Sequence, residues 1–209
     1  MIDHILVDLV TQARRALENA LLQRQAVEER FQVDVFLGDV AWETSYSLPG
    51  EENPPRVRAD ISIDWPTWSQ SAYRSWCIGE PPEDPPEAVV EVALRVQRLA
   101  EVPGTDLLLA CLPEESAMIG TDSLVRAALV VEQVVAGGGA TPSVAVEATY
   151  QGTVGLDESA LEDPALLAAP MGALARWVAS VLVSLGDLEL RYVPPDPPAG
   201  DPDERGQTT

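Results

Sequence analysis

Nucleophilic catalysis that works through an imidazole has only His4 to draw on, and the two thiols, Cys77 and Cys111, lie far from it in sequence. A Cys–His dyad would rest entirely on tertiary placement, with no local pattern in its favour. One histidine and two separated cysteines make no zinc motif, and the acidic residues show no EF-hand spacing. All 13 basic residues are arginine. The absence of lysine removes Schiff-base chemistry, a lysine general base and the phosphate-contacting lysine of a P-loop. The Gly137, Gly138, Gly139 run has no lysine and hydroxyl residue after it in P-loop spacing, so we read it as a turn. Asp60 and Asp64 share one side of an alternating segment, but four residues of strand separate them by about 13 Å, beyond either glycosidase geometry. We expect no catalytic residue, no cofactor and no metal site, and read the chain as non-enzymatic.

The densest cluster of large side chains is DWPTWSQSAYRSWC, residues 64–77, with three of the five tryptophans. Trp65, Trp68, Ala72 and Trp76 recur at helical spacing, with Asp64 as N-cap and Pro66 in the first turn. Ser69, Ser71, Arg74 and Ser75 would occupy the opposite, polar side. A convergent aromatic face either closes a core or presents a contact surface, and core is favoured because a domain of this size needs its large rings inside. If exposed, the interaction surface comprises Trp65, Trp68, Tyr73, Arg74 and Trp76, joined by the first helix or by unpaired strand edges.

The elements that would carry these residues follow from hydrophobic period. Residues 2–30 place Ile5, Leu9, Ala13, Leu17 and Leu21 on one helical face. Alternation then predicts strands over 31–37 and 40–48, broken at Gly38 and Asp39, and a third over 56–64 that completes an antiparallel meander. Residues 90–97 alternate as a strand, 107–111 (LLLAC) read as a short buried strand, and 123–135 with 144–150 as a strand pair. Pro164–Leu185 is apolar nearly all round, and its Arg176 would sit near a bilayer centre without flanking cations, so a helix packed on the sheet is preferred to a membrane span. Leu188, Leu190 and Tyr192 suggest a last strand. The expected class is α+β: a long N-terminal helix, an antiparallel β meander, a C-terminal helix on the sheet and a final strand, as one domain over 1–193 with a disordered acidic, proline-rich tail over 194–209.

Charge bounds the partners. Against 13 arginines stand 34 acids, a net charge of −21. Such a field repels phosphate backbones, which argues against unspecific nucleic-acid binding and against anionic membranes. With no basic leader and two cysteines expected as buried free thiols, we read a cytoplasmic protein. The function expected is protein interaction or assembly, possible self-association included. A small-ligand or glycan-binding domain built on residues 64–77 is the second reading, and an acidic DNA mimic the weakest.

Overall fold

Strict alternation of large apolar and polar residues is what makes the centre of this chain a sheet. The structure, a computed structural model, describes residues 2–22, 24–36, 38–50, 54–135, 141–156 and 163–194. The glycine run at 137–139, the side chain of His4 and the tail beyond Pro194 lie outside the described residues. Strands β1 (Val27–Phe36), β2 (Asp39–Ser47), β3 (Val57–Trp65), β4 (Glu87–Leu99), β5 (Glu115–Ile119), β6 (Asp122–Val134) and β7 (Ser143–Gly155) form one antiparallel sheet. Their spatial order is β1-β2-β3-β4-β7-β6-β5.

Register aligns the inward rows. Ile63 sits between Trp42 of β2 and Val90 of β4, and Ile61 between Thr44 and Val92, which in turn faces Tyr150 of β7. All of these are buried. Each fully buried Ile or Val contributes about 1.5–3 kcal/mol relative to exposure, so a one-residue slip, which would turn the whole row to water, is excluded. Two-residue turns join β1 to β2 and β5 to β6, where Gly38 (φ 96°) and Gly120 (φ 73°) take backbone angles that a side chain would resist.

The inward face is covered by α1 (Ile2–Leu22) and α4 (Ala168–Gly186), which pack against each other. Ile5, Leu9, Ala13, Leu17 and Leu21 fall at every fourth position of α1 and are all buried. On α4, Met171, Leu174, Ala175, Val178, Leu182 and Leu185 are buried in the same core. A helix with the sheet on one side and another helix beside it is buried around most of its circumference, which accounts for its nearly continuous apolar sequence. Ala165–Gly186 is long and apolar enough to cross a membrane by composition, and half of its most apolar window is buried inside the protein. The fold is α+β with the N-terminal helix, antiparallel sheet and C-terminal helix expected from the sequence.

Three local expectations change. The first helix stops at Leu22, where Gln25 takes a positive φ of 60° and the Ala26 N–H returns to the Leu21 carbonyl, so residues 27–30 open β1 instead. Residues 107–111 belong to α3 (Thr105–Cys111), not to a strand: Leu108 is buried while Leu107 and Leu109 face out. The last strand is reduced to a Leu99–Tyr192 bridge, flanked by backbone bonds from the Ala100 N–H to the Arg191 carbonyl and from the Val193 N–H to that of Arg98.

α1 also bears on the one strongly shifted phenol. Tyr46 is buried on β2, and its hydroxyl and that of Thr44 both donate to Glu28. Burial, then the Glu28 charge, pushes the Tyr46 pKa up to about 12. A phenol with a folded pKa above its unfolded value of about 10 gives stability that is complete below pH 10 and is lost as pH rises through the folded value. Replacing Tyr46 with Phe removes that dependence. Between about pH 9 and pH 12, the unfolding free energy of wild type relative to Tyr46→Phe, measured in urea, should fall by roughly 2–3 kcal/mol.

Candidate interaction surface

The tryptophan segment divides between strand and helix. Trp65 ends β3, and α2 (Thr67–Cys77) begins after Pro66, so Asp64 lies in the strand and does not cap the helix. Asp39 takes that place from across the β1–β2 turn, accepting bonds from both the backbone N–H and the hydroxyl of Thr67. These bonds, the hydroxyl's first, hold the Asp39 carboxyl below its usual range.

The buried face of α2 is not the expected one. Ser69, Gln70 and Tyr73 are its buried residues, whereas Trp68 is 46% exposed, Arg74 is exposed and Trp76 half-buried. The Ser69 hydroxyl explains the shift. It accepts from the Trp65 indole N–H (3.0 Å) and from the Glu87 N–H (2.8 Å), and donates to the Glu87 carbonyl (2.7 Å), which fixes α2 to β3 and β4 at once. Gln70 adds amide bonds to the carbonyls of Gly38 and Trp65. Tyr73 meets Trp65 edge-on, with centroids 5.6 Å apart, and stacks on Trp76 at 6.0 Å. Trp65, Tyr73 and Trp76 thus belong to the packing of α2 on the sheet, and Trp68 is left apart from them on the outer side.

Neither thiol is buried as expected: both are free, Cys77 exposed at the end of α2 and Cys111 half-buried at the end of α3. The apolar face of α1, a second candidate for self-association, is consumed by the core.

The polar face of the sheet is laced by its own charges. Arg58 pairs with Asp60, which also accepts from Ser45, and Arg95 bridges Glu132 (3.0 Å) and Glu147 (2.9 Å). Register sets Glu43 and Glu91 on either side of Ser62, with Asp64 two residues further along β3. Burial, then the Glu91 and Glu43 charges, raises the Asp64 pKa. Among the described residues no group of three or more His, Cys, Asp or Glu is arranged to hold a metal.

What the sequence did not reveal is the contrast between the two sides of the sheet. β1 forms one edge along its whole length, and it carries Glu28, Glu29, Arg30 and Asp34, charges that discourage strand addition; its bulge between Glu28 and Arg30 has a counterpart on β6 between Arg126 and Ala128. At the other side β5 covers β6 only as far as Val125, with one more bond from the Arg126 N–H to the Glu114 carbonyl. Beyond it, among the described residues, no strand lies against Ala127–Val134. That open stretch is about 27 Å long and contains one charged residue, Glu132, already paired to Arg95. Val130, Val131, Val134 and Val135 are exposed on it or just past it. The segment 123–135 was legible as a strand, but its open edge depends on β5 pairing only with its start and on β4 taking the far side of β7, which the period of the segment itself does not encode.

The roles assigned within residues 64–77 separate cleanly by mutation. Ser69→Ala leaves the buried Trp65 and Glu87 N–H groups without acceptors and should cost about 2–4 kcal/mol in urea unfolding. Trp68→Ala should stay within about 1 kcal/mol of wild type. Equal losses for the two would show that Trp68 is core.

No protein-family model, no curated protein and no solved structure matches this chain.

Proposed function

We propose that this is a non-enzymatic, cytoplasmic assembly protein that extends its sheet by strand addition at the open edge of β6, and that a second copy of the chain supplies the strand. The observation that carries it is the unguarded stretch Ala127–Val134 in a sheet whose other edge, β1, is guarded along its length. Unpaired N–H and C=O groups on an apolar strand are a template for another strand, main-chain bonding needs no sequence match, and past the irregularity between Arg126 and Ala128 the register of β6 on β7 is unbroken to Val134. A second copy suits the chemistry because an antiparallel two-fold pairing centred on Val131 sets Val131 against itself, Leu129 against Gln133 and Ala127 against Val135. No bare acid is brought into the seam, since Arg95 holds Glu132. With −21 charges on each copy, the dimer should tighten as salt screens the repulsion, whereas a basic partner would be released.

Sedimentation equilibrium tests this. Wild type should be dimeric at about 100 μM in roughly 0.5 M salt, with dissociation favoured at low salt. Val131→Lys should be monomeric with an unchanged circular dichroism spectrum, although the added lysine lowers the overall repulsion. A monomeric wild type at high salt, or a variant as dimeric as wild type, overturns the proposal.

A further inference from the structure

In the groove between α1 and α4 the acidic excess gives way to cations. Gln12, Arg15, Ala16, Asn19 and Ala20 of α1 face Ala168, Gly172 and Arg176 of α4 across a cleft of about 430 Å³. The polar lining residues on α1, Gln12, Arg15 and Asn19, recur at three- and four-residue intervals, and the lining positions on α4, Ala168, Gly172 and Arg176, at four, so each helix turns one stripe toward the cleft. Among the described residues no carboxylate lines it. Among the described residues, Arg14, Arg58, Arg95 and Arg191 are each paired to an acid, while Arg15 and Arg176 have neither an ion pair nor a hydrogen bond. In a chain with 34 acids, two arginines brought to one cleft without a counter-charge are an anomaly of placement.

Gly172 sharpens it. A methyl group at that position would stand 3.2 Å from Arg176 Nη1, so the missing side chain is the space in which the guanidinium lies back over the cleft. The other small residues, Ala16, Ala20 and Ala168, leave the floor open for the body of a ligand.

We infer that the α1–α4 cleft binds a small molecule bearing a carboxylate or phosphate, gripped by Arg15 and Arg176 and oriented by the amides of Gln12 and Asn19. Guanidinium forks match the oxygens of either group, and the two amides supply donors and acceptors for hydroxyl or amide groups beside them. The volume suits a small metabolite. A polyanion is disfavoured, because each further phosphate meets the field of the remaining acids, whereas one or two charges are met locally by two arginines. The site is separate from strand addition at β6 and stands or falls without it.

The probes are inorganic phosphate and succinate, titrated by calorimetry and by thermal melting at constant ionic strength, with sodium chloride as the balancing salt. At least one of them should bind wild type saturably below about 10 mM and raise the melting midpoint by roughly 3 °C at ten times its dissociation constant. A response to phosphate alone or to succinate alone assigns the ligand class. Arg15→Ala and Arg176→Ala should each weaken binding about 10- to 100-fold, and Gly172→Ala should weaken it by displacing the guanidinium. All three positions are solvent-facing or on the cleft wall, so the unliganded melting midpoint gives an independent check that the variants fold. No saturable response to either probe in wild type, or an undiminished response in the Arg15→Ala, Arg176→Ala double variant, overturns the inference.

Discussion

Everything unusual about this molecule follows from a mismatch of widths. Seven strands about 4.8 Å apart span roughly 29 Å, while two helices packed side by side cover roughly 20 Å. The two-helix layer cannot close the whole inward face, and the twist of the sheet decides which parts stay bare. The charged bonds from Arg14 to Glu28 tie α1 to the start of β1, and α4 packs over β5 and β3. The layer therefore runs along one diagonal of the sheet. Its other diagonal ends in two uncovered corners, the distal half of β1 and the distal half of β6. Val35 (70% exposed) marks the first and Val131 (49%) the second, although register places both on the inward side.

The two corners are treated differently. At β1 the exposed valines alternate with Gln32 and Asp34. At β6 the chain offers Leu129, Val130 and Val131 in succession, with its sole carboxylate drawn across the sheet to Arg95. Leaving an apolar edge bare costs solubility, and acidic residues are abundant elsewhere in this chain. That this exposed stretch carries a single acid, paired to Arg95, is what the assembly proposal rests on.

How much of this could be read beforehand depends on the range of the interaction concerned. Strands β2, β3, β4 and β7 were legible because their period is local and their inward residues are uniformly apolar. α3 was misread because LLLAC is too short to show a period, and Leu108 is its one buried residue. The end of α1 was misplaced because Gln25 takes the left-handed conformation that glycine usually marks. The aromatic helix was recognised with its face rotated, because apolar patterning sends Trp68 inward and Ser69 outward. The reverse holds because one hydroxyl meets a buried indole and both backbone groups of Glu87, groups that would cost more to leave unpaired than an outward ring does. A serine four residues after a tryptophan was the available clue. Neither the bare edge nor the arginine cleft had one: the edge is bare because β5 ends its pairing with β6 at Glu115, and the cleft joins segments more than a hundred residues apart.

The acidic excess finally acts as a filter on a length scale set by salt. At physiological ionic strength charges beyond about 8 Å are largely screened, so a surface is repelled chiefly by the acids it carries itself. An edge of eight residues with one neutralised carboxylate, and a cleft with two unpaired arginines, are both larger than that distance and both free of bare acids. Elsewhere on the open sheet face, Asp60, Glu91 and Glu147 each keep a partner within the chain, and burial, followed by the Glu91 and Glu43 charges, makes Asp64 hold its proton more tightly. On a chain of net charge −21, local composition, and not the total, therefore decides what can approach the β6 edge and the α1–α4 cleft.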